Sequence, residues 1–338
     1  MTHPSRRHAL VAGLCLALVA GSCSAPDDPS TGAPDRVTAV VLPYLTLMPF
    51  YIAAEEGYFA EQNLDVDFLR LGRNQDFMAA LAQGDVDVTA GMLALNELSL
   101  VASGARLRVV AALNELSPDG CAYLAIVARR ELLESGALQD REQIRSLRFD
   151  ISPFVPLGYT MDELLRTFDL TLDDVDTVDL PPPAAVEMLR RGDIHVTADA
   201  EPFVSTHIAT GEAVIWRSLA ELTEDYVSSV LMFGPTLLDE RPEVGARFTT
   251  AILKAVRQFR QGKTPRNLSI AEAALGLTPA QLELACWPVP SDDARVRASA
   301  FLGYQQWLVA RGLLDRVLAE DELLDHRFID LANAELAR

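Results

Sequence analysis

The chain has 338 residues, 49% of them apolar and 23% charged, a balance that excludes a largely disordered, collagenous or coiled-coil protein. Lys and Arg total 29 against 48 Asp and Glu, and a formal net charge of −19 argues against any phosphate-backbone partner. Lys254 and Lys263 are the only lysines, so an anion site built on clustered Lys is excluded, while Arg remains available.

The start reads as an export signal. Arg6 and Arg7 form its positive region, and Ala9 to Ala20 form an apolar run too short to span a membrane comfortably. Ala20-Gly21-Ser22-Cys23 resembles the bacterial lipoprotein box, which implies removal of residues 1–22 and a lipid on Cys23. Ser5-Arg6-Arg7 leaves both the general and the twin-arginine export routes open. Residues 23–35, polar and Pro-rich without periodicity, read as a flexible tether.

The body then alternates strands and helices. Val37–Leu42, Leu64–Leu69, Val86–Thr89 and Leu107–Leu113 read as strands. Between them Leu47–Glu56, Asp76–Gln83 and Leu93–Ala102 read as helices, each followed by Gly57, Gly84 or Gly104. The pattern restarts near Cys121. Strands are expected at Ala122–Ala128, Arg148–Ile151, Asp176–Leu180, His195–Ala198 and Ala213–Trp216, with helices at Leu157–Phe168, Ala184–Arg191 and Glu201–Ala209. Tyr226–Phe233 is a strand able to carry the chain back, and from Pro242 onward helices dominate, including Val244–Arg260, Ile270–Leu275, Pro279–Ala285, Asp293–Ala310 and Glu322–Leu336. The order predicts an α/β protein of two lobes with mainly parallel sheets: residues 36–120 plus 226–338 as lobe I, residues 121–225 as lobe II.

The residues offer no catalytic constellation. His195, His207 and His326 are scattered without zinc-ligand spacing, and there is no Gly-x-Ser-x-Gly elbow, phosphate loop or dinucleotide fingerprint. The expectation is a protein that is not an enzyme and needs no cofactor or metal. Cys121 and Cys286 could pair outside the cytoplasm or stand as two buried thiols.

Around Pro49 the sequence meets a family. Pro49-Phe50-Tyr51-Ile52-Ala53-Ala54-Glu55-Glu56-Gly57-Tyr58-Phe59 followed by Glu61-Gln62-Asn63-Leu64-Asp65-Val66 resembles the opening of ABC-importer solute-binding proteins. The branch takes thiamine precursors, taurine, alkanesulfonates and nitrate. Ala80-Leu81-Ala82-Gln83-Gly84-Asp85-Val86-Asp87, Leu107–Leu113, Leu189-Arg190-Arg191-Gly192-Asp193-Ile194 and Asp199-Ala200-Glu201-Pro202-Phe203 resemble later blocks of that family, in order, over roughly residues 36–335. The resemblance implies a type II periplasmic-binding-protein fold, two α/β lobes joined by two crossing segments with a helical C-terminal tail, closing on a ligand. It also implies a monomer, tethered to the cell membrane by its lipid alone, that serves an ABC permease and its ATPase.

Ligands of open α/β sheets bind beyond the C-terminal strand ends. That rule selects the loop of Tyr44 and Thr46, the loop of Arg73, Asn74 and Gln75, the loop of Met92, the segment from Ser152 through Phe154 to Tyr159, and Glu201. Tyr44, Phe154 or Tyr159 would stack on a ring, and Asn74, Gln75 and Glu201 would hydrogen-bond its edge. Pro153 and Pro156 remove N–H donors that nitrate or a sulfonate would want, so a neutral or cationic heteroaromatic such as a pyrimidine thiamine precursor leads over taurine, alkanesulfonates and nitrate. A superfamily enzyme that makes the thiamine pyrimidine is the rival of another class. Its cysteine cluster and early cofactor lysine have no counterpart here.

Overall fold

The computed structural model describes residues 32–69, 74–116, 120–223 and 226–338, with the backbone alone for residues 74–76. Cys23, the expected lipid site, and Arg73 lie outside the described residues. Pro34–Arg338 forms one compact unit.

Among the described residues, ten strands make two five-stranded sheets. The first holds β1 (Asp35–Val40), β2 (Leu64–Leu69), β3 (Val88–Gly91), β4 (Arg108–Glu115) and β10 (Val227–Phe233), in the order β2-β1-β3-β10-β4. The second holds β5 (Leu124–Arg129), β6 (Arg148–Asp150), β7 (Asp176–Val178), β8 (Val196–Ala200) and β9 (Ala213–Ser218), in the order β7-β6-β8-β5-β9. β1 runs parallel to β2 and β3, and β6 runs parallel to β7 and β8. β10 and β5 are antiparallel to both their neighbours, so each sheet is mixed rather than mainly parallel. Both odd strands come directly after a crossing between the lobes, and each inserts at the same place in its sheet. The alternation of Leu64-Asp65-Val66-Asp67 follows from β2 being an edge strand, whereas β5 is apolar from Leu124 to Ala128 because it is central and buried on both faces.

Helix boundaries follow the expected punctuation. Gly84 and Gly192 end their helices with φ near +82° and +83°, a conformation that costs a side chain but not glycine. The acid after the first of these is structural. Asp87 accepts from the Thr38 N–H and hydroxyl at 2.8 and 3.0 Å and from Arg241 at 3.1 Å, fastening β1 to the turn after β10. The long amphipathic helix Pro242–Phe259 covers lobe I and packs on the helices Met48–Glu55 and Arg327–Leu336. Its Phe248 stacks on Phe59 at 5.1 Å between ring centroids.

Two expectations are corrected. Short helical segments fill Arg130–Glu134, Ala137–Gln139 and Arg141–Arg145, where no helix was expected, because each is too short to show a period. The helix expected from Asp293 begins only at Leu302, after a turn at Ala298–Phe301; ahead of it Ala294 takes a positive φ of 50°, which breaks a helix, and Ala294 and Val296 are buried between exposed neighbours. The helix Leu302–Ala310 packs on the lobe II helix Pro156–Arg166, where the Trp307 indole N–H donates to the buried Asp162 at 2.7 Å. Cys121 and Cys286 form a disulfide with their Cα atoms 5.7 Å apart, which settles the choice the sequence left open.

Candidate functional site

A cavity of about 340 Å³ lies between the lobes. Lobe I supplies Tyr44 and Thr46 from the loop after β1, Thr89 to Met92 at the end of β3, and Ser229 from β10. Lobe II supplies Asp150 to Ser152 at the end of β6, Asp179 after β7, and Ala198 to Ala200 at the end of β8. All but β10 present their C-terminal ends, the place that parallel strand order leaves open between helix starts. Phe77, Leu47 and Met232 give the lobe I wall its apolar character.

Lobe II contributes three aspartates, Asp150, Asp179 and Asp199, to the wall. Asp150 accepts from the Thr197 hydroxyl at 2.8 Å and from the Leu180 N–H at 2.9 Å. Burial nonetheless pushes its carboxyl up to about 6, against those two hydrogen bonds. Asp199 accepts from the Ala200 N–H at 3.0 Å and lies 3.3 Å from Nε2 of the buried His207. Burial raises its carboxyl too, and the His207 contact opposes the rise. Burial, reinforced by the charge of Asp199, pushes the Tyr44 phenol up to about 12, so it stays a hydrogen-bond donor. Its ring meets Phe203 of lobe II edge-on at 6.0 Å.

A pH dependence follows with a definite sign. The folded Asp150 holds its proton to about pH 6, well above the ordinary carboxyl value of 3.8. This group's contribution to stability is therefore full below the unfolded value and lost as pH rises through 6. Asp150→Asn should remove that component, so melting temperatures of variant and parent at about pH 5 and about pH 7.5 should diverge more at the higher pH, in favour of the variant.

The residues chosen from sequence divide. Tyr44, Thr46 and Met92 line the cavity together. Asn74 and Gln75 open the helix Asn74–Gln83, and their side chains lie outside the described residues. Phe154, Tyr159 and Glu201 are placed away from the cavity lining. Phe154 is 50% exposed, and it is its carbonyl that works, accepting from Leu95 N–H of lobe I at 3.2 Å and the Tyr304 hydroxyl at 2.9 Å. Tyr159 packs instead against Tyr304 and Trp307, with ring centroids 6.2 and 6.0 Å away. Glu201 is 1% exposed and turns back to Ser205 and Cys286, with Oε1 accepting from the Ser205 hydroxyl at 2.6 Å and the Cys286 N–H at 2.8 Å. Sequence reasoning missed Asp150, Asp179 and Asp199. The signal was an acid at the C-terminal end of each of the parallel strands β6, β7 and β8, obscured for Asp199 by ending that strand two residues early.

Gly158 holds the lobe II loop in place. A Cβ there would stand 2.5 Å from the Ser152 carbonyl oxygen and 3.0 Å from Pro153 Cα, both backbone atoms that cannot rotate away. Gly158→Ala should push Ser152–Val155 off the cavity and cost about 1–3 kcal/mol of stability, read by denaturant titration.

Two α/β lobes with these strand orders, crossed twice by the chain and enclosing a cavity at their strand ends, define the type II periplasmic-binding-protein fold. Within that class the chain belongs to the NMT1-like family, whose model matches residues 31–274. No curated protein matches the sequence. Among solved structures, the ligand-binding component of an ABC-type import system from Staphylococcus aureus, with zinc bound, superposes with a TM-score of 0.73 at 15% identity, covering 88% of this chain and 99% of that one. The periplasmic aliphatic sulphonate binding protein SsuA from Escherichia coli gives 0.68 at 13% identity, with 89% and 99% covered. The desulfurization enzyme DSZB gives 0.65 at 16% identity, again with 89% and 99% covered. Receptors and an enzyme thus share this fold, and the site must decide what this chain does.

Proposed function

We propose that the chain is the substrate-binding receptor of an ABC importer. Exported and held at the outer face of the cell membrane by a lipid on Cys23, it captures a small molecule between its lobes as a monomer and hands it to a permease driven by an ATPase. The single observation that carries the reading is the cavity of about 340 Å³ built from both lobes at their strand ends. A ligand there would complete contacts across the cleft, where Leu45 N–H already donates to the Glu201 carbonyl and Leu95 N–H to that of Phe154, each at 3.2 Å. Such a ligand favours closure by its differential contact with the closed form. The disulfide supports export, since such bonds persist in oxidising compartments.

A heteroaromatic of the pyrimidine thiamine-precursor kind fits the cavity's make-up: apolar Phe77, Met92 and Met232 for a ring, and the Tyr44, Thr46 and Ser229 hydroxyls for its edge. The test is a thermal-shift panel on residues 24–338 followed by small-angle scattering with any hit. At a hundred times its dissociation constant a ligand should add about 2.7 kcal/mol of stability and compact the particle. A bound ligand without compaction would count against lobe closure, and turnover of that ligand would replace the receptor by an enzyme.

A further inference from the structure

We infer that the cavity selects a small organic cation, an amine or a protonated nitrogen heterocycle, whose positive end sits among Asp150, Asp179 and Asp199 and whose body lies on the lobe I wall. This deepens the receptor reading and rests on it. The three carboxylates stand at the ends of adjacent strands. Asp150 pairs in register with Val178, the residue before Asp179, and with Thr197, two residues before Asp199. All three line the cavity, and among the described residues its lining contains no Arg, Lys or His. His207 touches Asp199 from within the lobe rather than from the cavity. Glu97 lines the lobe I side, where it accepts from the Ala94 N–H at 3.1 Å, and it is left out of the cation's partners.

A second, independent observation removes the opposite ligand. Anions bind α/β clefts through free N–H groups at helix starts. Here proline or an existing hydrogen bond accounts for most of those donors. The helix Pro182–Arg191 opens on Pro182 and Pro183, which have no N–H, and its next two N–H groups, of Ala184 and Ala185, already donate to the Pro181 carbonyl at 2.8 and 3.1 Å. The helix Pro156–Arg166 opens on Pro156, and Gly158 N–H donates to Val155 at 2.9 Å. On lobe I, the Ala94 and Leu95 N–H groups are taken by Glu97 and by the Phe154 carbonyl. Each carboxylate oxygen of Asp150 accepts one hydrogen bond, and an ionised carboxyl has about four acceptor positions, so capacity for a charged N–H remains. Desolvated carboxylates without a counter-charge are costly, and a bound cation offsets that cost.

The test is a charge series on one ring, 4-aminopyrimidine bearing an aminomethyl, hydroxymethyl or carboxylate group at the same carbon, with benzylamine, agmatine, taurine and nitrate, titrated calorimetrically into residues 24–338. The aminomethyl member or one of the two amines should bind at least about tenfold tighter than any neutral or anionic member. Asp199→Asn should weaken that cation about 30-fold or more. Should Asp199→Asn fail to fold, Asp179→Asn at the exposed rim of the cavity should weaken the same cation several-fold with an unchanged melting temperature. An anion or the neutral member binding tightest overturns the inference and leaves the receptor reading standing, and a cation that binds without compacting the protein does the reverse. No binding by any cation of the series also overturns it.

Discussion

Replacing both Cys121 and Cys286 by serine should lower the unfolding free energy by about 3–5 kcal/mol and the melting temperature by roughly 6–10 °C. The two residues are 165 positions apart, so the bond removes a large loop-closure entropy from the unfolded chain. It ties the first crossing segment, which leaves β4 and enters β5, to the C-terminal segment beside Trp287. Trp287 is itself anchored, its indole N–H donating to the Phe259 carbonyl at 3.0 Å and its ring 4.8 Å from Phe259. Denaturant titration of the double variant, and of the parent with and without reductant, measures the effect. Coincidence of parent and variant in the absence of reductant would show that the bond contributes nothing.

The second large effect is expected at Glu201. Glu201→Ala should cost about 3 kcal/mol or more, because it leaves buried donors unmet rather than because it removes a ligand contact. Its carboxylate accepts from the Ser205 hydroxyl, the Ser205 N–H and the Cys286 N–H at 2.6, 3.1 and 2.8 Å. The side chain thereby joins the start of the helix Phe203–Ala209 to the disulfide, while its backbone carbonyl receives Leu45 of lobe I. Burial raises this carboxyl above the ordinary range, and the three donors oppose that rise together. A role in stability predicts a fall in melting temperature with ligand affinity moving little once the protein is folded. A large affinity loss at unchanged stability would return Glu201 to the ligand's edge, as the sequence first suggested.

The misplacement of Glu201 shows where sequence reasoning stops. The strand-end rule chose Glu201, just past a strand expected to end at Ala198, but the strand runs on to Ala200, and its cavity-lining acid is Asp199. An error of two residues preserves the period of a strand and changes which group meets the cavity. Phe154 and Tyr159 stand outside the cavity lining for a related reason. Their loop and helix were located correctly, yet the direction of a side chain on an irregular segment depends on what packs behind it, here Tyr304 and Trp307 from some 150 residues downstream.

What the sequence determined by itself was encoded locally: the two βα series, the glycine-ended helices, the return strand Val227–Phe233 and the family blocks that carry the two-lobed fold. Those features rest on period, punctuation and apolar runs, which a short window of residues contains. The tertiary structure alone decided the mixed order of each sheet, the pairing of Cys121 with Cys286, and the gathering of Asp150, Asp179 and Asp199 on one wall. Each of these joins residues tens to hundreds of positions apart, and their meeting is fixed by the packing of whole elements rather than by any local preference.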